Sequence, residues 1–325
     1  MKVLSLFDGI SCARVALERA GFTVEEYRAS EIDKYAIQVS KKNYPDIEHV
    51  GSVTEIHYRD WNKGYYDLLI GGSPCQDLSI AKKDRKGLDG NRSSLFWEYV
   101  RILKETEPKY FILENVASMP KDAKAIITET LRVEPIMIDA ALVSAQRRKR
   151  LFWTNIPNVT LPEDKGIFLK DILEDIPVPP EGLQIKEKSK TLRLGGGGSK
   201  VGDKHEWDSV YQYRRTYWRE TKGGKVPTLT ANMGTGGNNV PYIQQTARGY
   251  NKGGKKYNKV PTLSVSSWEH NHKLNGIRKL TPIECERLQC LPDNYTEGIS
   301  NTQRYKCLGN AFNVDVVAHI LSFVK

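Results

Sequence analysis

Between residues 2 and 153, short apolar runs alternate with stretches of helical periodicity, and few architectures accommodate that pattern. Lys2–Phe7 reads as a strand and Cys12–Ala20 as a helix stopped at Gly21. Glu25–Ser30 is the next strand, Lys34–Asn43 the next helix. Asp67–Ile70 and Tyr110–Leu113 are compact apolar strands separated by the helical stretch Ser94–Lys104, and Pro135–Leu142 and Arg150–Trp153 read as two more strands. Repeated βαβ units predict an α/β domain built on a doubly wound mixed sheet.

The pattern breaks after Trp153. Pro157, Pro162, Pro177, Pro179 and Pro180 are followed by four consecutive glycines, Gly195–Gly198, and then by a stretch rich in Gly, Asn, Lys, Arg and Tyr. Basic and aromatic residues interleave at Tyr211, Tyr213, Arg214, Arg215, Tyr217, Trp218 and Arg219, a mixture suited to phosphate and base contacts. A short echo, KVPTLT at 225–230 and KVPTLS at 259–264, is too little for a repeat protein. Regular structure resumes at Thr281, where Thr281, Pro282 and Glu284 spell an N-cap, a first-turn proline and a capping-box acid. Three parts are expected: 1–155, a small loop-rich domain at 156–275, and 276–325 returning to complete the first.

Five short motifs hold residue types with chemistry to offer. Asp67–Ile70 delivers Gly71-Gly72-Ser73-Pro74-Cys75-Gln76, a tight turn followed by a thiol at the carboxyl edge of the sheet, where open α/β folds bind ligands. A small buried cysteine is the commoner use of that residue. Glu114 follows the strand Tyr110–Leu113 and reaches the same edge, so a thiol and a carboxyl group could act together on an electron-poor ring. In Gln146–Arg150 the alternate positions Arg148 and Arg150 share one face of the strand they enter. Phe7-Asp8-Gly9-Ile10 ends the first strand and Glu31 the second; a carboxylate there suits the ribose of an adenine-containing cofactor. No GxGxxG is present to cradle a pyrophosphate, which disfavours a nicotinamide dehydrogenase and suits S-adenosylmethionine.

This set, in this order, resembles the DNA cytosine-5 methyltransferases over nearly the whole chain. The carrying segments are Phe7-Asp8-Gly9, Pro74-Cys75-Gln76, Glu114-Asn115-Val116, Gln146-x-Arg148-x-Arg150, Arg278–Gln289 and Gly309-Asn310-Ala311-Phe312. Asp67–Ser79 is also similar to the animal de novo enzymes, without their accessory domains. The resemblance implies a Rossmann-like methyltransferase fold, S-adenosylmethionine as methyl donor and double-stranded DNA as substrate. It implies Cys75 as nucleophile at cytosine C6, Glu114 at the N3 side, and Arg150, supported by Arg148, at O2. The cytosine would be flipped out of the stack into this pocket. Cofactor contacts are expected from Phe7, Asp8, Gly9, Ile10, Glu31, Ile32, Ser52, Val53, Gly71, Pro74, Asn310, Ala311 and Phe312. DNA contacts are expected from Gln76, Ser79, Asn115, Gln146 and the Thr228-Leu229 pair. Two departures stand out. Ser11 and Cys12 replace glycines, and Ser52 stands where the family often has an acid for the adenine amino group.

Composition agrees with this reading without carrying it. A net charge of +10 suits a polyanionic partner, or only a solvated basic surface. The five cysteines form no CxxC pair, so reduced thiols are expected rather than disulfides or zinc. No apolar run reaches the roughly 20 residues needed to span a bilayer, so a cytoplasmic monomer is expected. A restriction endonuclease could be its partner in function rather than in complex. A tRNA methyltransferase and a catalytically silent homologue are the alternatives; the long second region argues against the first, and the intact Cys75, Glu114 and paired arginines against the second.

Overall fold

The computed structural model describes residues 1–57, 62–73, 95–174, 187–188 and 280–325, with the backbone of five short strands between 183 and 274. Seven strands form one mixed sheet: β1 (Lys2–Leu6), β2 (Glu26–Ser30), β3 (Glu48–Gly51), β4 (Leu68–Gly71), β5 (Tyr110–Val116), β6 (Ile136–Asp139) and β7 (Lys149–Thr154). Their spatial order is β3-β2-β1-β4-β5-β7-β6. Strands β1 to β5 run parallel, and β7 runs antiparallel to both β5 and β6. The chain winds outward from β1 to β3, then returns to place β4 on the other side of β1. The β1–β4 crevice is therefore the switch point at which such sheets bind ligands.

The central strands are apolar along their whole length because both faces are covered. Val3, Leu68, Ile70 and Ile112 face a layer containing α1 (Cys12–Arg19), α2 (Lys34–Asn43) and the C-terminal helices. Leu4, Leu6, Leu69 and Leu113 face α3 (Leu95–Thr106) and α4 (Lys121–Leu131). Helix α1 stops at Gly21, whose φ of +84° and N–H bond to the Glu18 carbonyl make a glycine C-cap. Pro135–Leu142 does not remain extended throughout. Oδ1 of Asp139 accepts from the Ala141 and Arg148 amides, turning Ala140–Leu142 into a 3₁₀ turn.

The C-terminal part contributes α5 (Pro282–Leu288), α6 (Asn301–Asn310) and α7 (Val314–Leu321), all packed into the first layer. The capping box forms as the sequence indicates: the Glu284 amide donates to Thr281 Oγ1 and the Thr281 amide to Glu284 Oε2, at 3.2 and 2.8 Å. Glu286 is fully buried, accepting from Arg304 at 2.8 Å and from the Asn294 and Thr296 amides. This arrangement satisfies an anion that burial would otherwise penalise heavily.

Residues 156–174 belong to this body, although the prolines suggested a boundary near 156. Ile156, Leu169, Ile172 and Leu173 are buried in the first layer, and the Arg287 guanidinium donates to the Ile172 carbonyl. The Lys188 ammonium donates to the carbonyls of Ala141, Ser144 and Ile167, tying the outgoing chain to the turn before β7. Beyond it, Leu183–Ile185 pairs with Tyr211–Tyr213, and Ile243–Gln245 pairs with both Lys256–Tyr257 and His272–Leu274, all antiparallel. Among the described residues no helix is long and apolar enough to cross a membrane.

Gly71 is where the sheet tolerates no side chain. A Cβ there would stand 2.8 Å from the Leu6 carbonyl oxygen, a backbone atom that cannot move aside. Gly71→Ala is expected to destabilise the fold by about 1–3 kcal/mol, the usual range for overpacking. Denaturant unfolding checks this, with Gly64→Ala, whose space is open but whose φ is +72°, as the control for backbone strain alone.

Candidate active site

The loops at the carboxyl ends of β1, β2, β4 and β5 converge on one rim. After β1 the backbone takes a left-handed conformation at every second residue: Phe7 (φ +55°), Gly9 (+62°) and Ser11 (+59°). The left-handed region costs a non-glycine residue about 1–2 kcal/mol, so Phe7 and Ser11 need compensation. For Ser11 it comes from a buried polar knot. Its hydroxyl donates to Asp8 Oδ2 at 2.5 Å and lies 2.6 Å from the Ser40 hydroxyl, while Tyr27 Oη donates to Asp8 Oδ1 at 2.6 Å. Burial drives the Asp8 pKa up, and the hydrogen bonds from Ser11, Ser5 and Tyr27 offset this only in part. Asp8 thus braces the loop from within. Tyr27 was not singled out by the sequence, since nothing local marks a tyrosine 19 residues away as its partner.

The next loop supplies a carboxylate and an apolar platform. Glu31 Oε2 accepts from the Gly9 amide at 2.8 Å, and Oε1 accepts from the Ile32 and Asp33 amides. Ile32 is 77% exposed, the most exposed large apolar side chain among the described residues. A Cβ on Gly9 would meet nothing within 4 Å, so that side of the loop is open. An open left-handed loop, a strand-end carboxylate and a bare apolar residue fit the carboxylate, ribose and base of an adenosyl amino acid.

Glu114 and Arg150 meet across β5 and β7. The antiparallel register sets Glu114 opposite Phe152 and Val116 opposite Arg150, making Glu114 and Arg150 diagonal neighbours on one face. Arg150 Nε lies 2.6 Å from Glu114 Oε1, and both side chains are about six-sevenths buried, at 15% and 14% exposed. Arg148, Arg150 and Phe152 alternate along the same face and line a small cleft with Glu114, Phe312 and Asn313. Arg148 goes deeper than a base-contacting residue would. It is 4% exposed, and its guanidinium donates to the carbonyls of Gly309 and Ala311, at 2.9 Å for the latter.

Phe312 closes the arrangement from the C-terminal side. A Cβ on Gly72 would stand 2.9 Å from Phe312 Cε1 and 3.0 Å from Glu114 Oε2, so Gly72 brings strand β4 against both groups. Asn313 caps α7 through the Val316 amide, and its Nδ2 donates to the Leu288 carbonyl. Neither Gly72 nor Asn313 was among the expected site residues. Asn310 is exposed at the end of α6, while Ala311, Ile10 and Val53 are buried and Ser52 is half-buried.

Asn115 and Gln146, expected to touch DNA, lie inside the body instead. Asn115 is 1% exposed; its Nδ2 donates to Ser73 Oγ at 3.2 Å and its Oδ1 accepts from the Val116 amide. It holds the turn that leads to Pro74-Cys75. Gln146, three residues before β7, is fully buried. Pro74, Cys75, Gln76, Ser79, Thr228 and Leu229 lie outside the described residues. The other thiols are poor nucleophiles. Burial raises the Cys12 pKa strongly and pushes Cys290 to about 11 and Cys307 to about 12, and Cys285 is fully buried.

The groups that a Cβ on Gly72 would meet, a ring edge and a carboxylate, can move, unlike the backbone above Gly71. Gly72→Ala is therefore expected to lower stability less than Gly71→Ala, while displacing Glu114 and Phe312. A fall in methyl-transfer rate of about tenfold, equivalent to about 1.4 kcal/mol, is the expected result of a single-turnover assay.

Comparison with known proteins agrees with this arrangement. The family model for C-5 cytosine-specific DNA methylase matches residues 1–325. The type II methyltransferase M1.ScrFI of Lactococcus lactis subsp. cremoris is 30% identical over 97% of this chain and 76% of its own length. The type II methyltransferase M.Bsp6I of Bacillus sp. (strain RFL6) is 26% identical over 98% of this chain and 97% of its own. Among solved structures, the Entamoeba histolytica methyltransferase EhMeth superposes with a TM-score of 0.60, covering 99% of this chain and 97% of that one, at 16% identity, and so shares the fold. The chain belongs to the C-5 cytosine-specific DNA methylase family.

Proposed function

We propose that Cys75, Glu114 and Arg150 carry out the reaction on a cytosine extruded from duplex DNA, on the rim formed by β4, β5 and β7. The chain is an S-adenosylmethionine-dependent DNA cytosine-5 methyltransferase. The observation that carries the residue assignment is the Glu114–Arg150 ion pair, set opposite the Gly72-Ser73 turn that leads directly into Cys75.

S-Adenosylmethionine supplies an electrophilic methyl group on a sulfonium. The Cys75 thiolate adds to cytosine C6, which interrupts the aromaticity of the ring and turns C5 into an enamine carbon. Glu114 assists by delivering a proton to N3 while accepting from the exocyclic amine, so that negative charge is not left on the ring. Its Oε1 is held by Arg150, and its Oε2 faces the Gly72 side of the cleft. Arg150 carries further N–H donors for the base O2. Once C5 carries the methyl group, removal of the C5 proton expels the Cys75 thiolate from C6 and restores aromaticity. Arg148 positions rather than reacts: it fixes the segment that presents Phe312.

Sequence recognition belongs to the region after residue 174. Between 175 and 279 the sequence has 19 Lys and Arg against 8 Asp and Glu, a net +11, while the whole chain is +10. The positive excess therefore lies entirely in this stretch, which supports it as the surface that meets phosphates. Arg214, Arg215 and Arg219 suit guanines, Asn232, Asn238 and Asn239 suit adenines, and Thr228-Leu229 is the candidate recognition element. The enzyme is proposed to act as a cytoplasmic monomer. The similarity to type II methyltransferases supports a restriction endonuclease as its functional counterpart.

Cys75→Ala is expected to abolish methyl transfer while leaving DNA binding largely intact. Duplex DNA with 5-fluorocytosine at the target should trap the wild-type protein covalently but not the variant, as read by a denaturing gel shift; methylation by the alanine variant at a near-normal rate rules the scheme out. Grafting 175–275 onto a relative of different specificity should carry this protein's recognition sequence with it, scored by bisulfite sequencing of host DNA. An active graft that keeps the recipient's sequence would place specificity elsewhere.

A further inference from the structure

The end of β3 lies beside the end of β2, with Gly51 paired to Ser30 and the Ser30 hydroxyl donating to the Gly51 carbonyl at 2.8 Å. A ligand running along the rim from the β1–β4 crevice, with its ribose at Glu31 and its base over the exposed Ile32, therefore points its far edge at the turn after Gly51. For an adenine, that edge carries the exocyclic 6-amino group, a donor that needs an acceptor once it is taken out of water.

The residue immediately after Gly51 is engaged within its own turn. The Ser52 hydroxyl lies 2.8 Å from Thr54 Oγ1 and accepts from the Thr54 amide at 3.3 Å, and the Ser52 carbonyl accepts from the Glu55 amide. This closes a tight turn. Val53 is buried, and its carbonyl takes a bond from Arg101 on α3, anchoring the turn to the body. The turn folds Glu55 back over the strand end. Its Oε2 lies 3.5 Å from where a Cβ on Gly51 would stand, and Gly51, at φ +77° and without a side chain, leaves that space clear. The Glu55 side chain is exposed and makes no hydrogen bond or ion pair among the described residues.

We propose that Glu55 accepts a hydrogen bond from the 6-amino group of the adenine of S-adenosylmethionine, supplying from three residues downstream the carboxylate that position 52 lacks. The proposal rests on adenosyl binding at Glu31 and Ile32. An ionised carboxylate only accepts, so Glu55 favours a 6-amino purine and repels a 6-oxo purine. Glutamine at 55 could turn its amide to either.

The test is calorimetric titration of S-adenosylhomocysteine and its 6-oxo analogue, S-inosylhomocysteine, into the wild type, Glu55→Gln, Glu55→Ala, and Glu55→Ala combined with Ser52→Asp. The wild type is expected to prefer the adenosyl compound by about tenfold or more, roughly one hydrogen bond to a charged group. Glu55→Gln should narrow the ratio to within about threefold, and Ser52→Asp should restore it in the Glu55→Ala background. Glu55 is exposed, so unchanged melting temperatures are expected throughout. A preference that survives in both single variants, or is absent from the wild type, overturns the assignment. Failure of the wild type to bind S-adenosylhomocysteine at all would instead remove the adenosyl site on which the assignment rests.

Discussion

The buried guanidinium of Arg148 joins the two ends of the chain. An arginine that is 4% exposed is tolerable only if its donors are taken up, because an unpaired buried charge costs far more than a folded domain has to spare. Its terminal N–H groups donate to the carbonyls of Gly309 and Ala311, which belong to the segment that leaves α6 and enters α7. Arg148 precedes β7, and β7 carries Arg150 two residues further along the same face. The bond that docks the C-terminal segment therefore also helps set the height and tilt of the residue holding Glu114. Phe312, one residue past the second acceptor carbonyl, reaches Gly72. Four elements far apart in sequence are thus fixed together by one cation and a short run of backbone.

How much of this was legible depended on whether the determinants were local. Helix α2 was read to its observed ends, Lys34 and Asn43, because apolar periodicity runs through it, and the Thr281–Glu284 capping box formed because its partners lie three residues apart. The shared face of Arg148 and Arg150 follows from strand alternation, and the place of Glu114 from the apolar strand that delivers it. Strand β3 was missed: it is four residues long, at the sheet edge, with no fully buried residue, so no alternation marks it. Helices α4 and α6 were also missed. Prolines end regular structure without ending packing: past the expected boundary at 156, Ile172 and Leu173 still face the core. Asn115, which the resemblance puts at the DNA, is buried through bonds to Ser73 and the Val116 amide, and Gln146 is buried with it. Burial of a polar residue is decided by partners that the local sequence does not name.

The departures from the family's glycines show how a loop can be held by other means. Glycine adopts a left-handed conformation without strain, so a run of glycines needs no support. Here Ser11 takes that conformation, and its hydroxyl bonds Asp8 and contacts Ser40, which in turn lies 3.2 Å from His49 on β3. The loop gains a side-chain scaffold that glycine cannot provide, and that scaffold crosses from β1 through α2 to β3. Its cost is a buried Asp8 whose ionised form is penalised. The backbone amide of Gly9 remains directed at Glu31, so the loop and the carboxylate at the end of β2 stay in register despite the substitution.

Charge is partitioned along the chain in a way that matches this division of work. With the stretch 175–279 at +11 and the whole chain at +10, the remainder is close to neutral. Several of its cations pair within the body: Arg19 and Lys165 both with Asp315, Arg304 with Glu286, Lys306 with Asp33, and Arg101 with Glu98 and Glu105. Asp315 shows the balance. Burial raises its pKa, yet the bonds from Lys165 and Arg19 outweigh this and hold it below the usual carboxylate range. The stabilisation it brings is present above the unfolded pKa and is lost as pH falls through the lowered folded value. A near-neutral body exerts little net pull on a polyanion, so on the proposed reading attraction to phosphates falls to the basic stretch. Glu114, which on that reading works beside DNA, is held by Arg150 from within the body rather than by a cation from outside it.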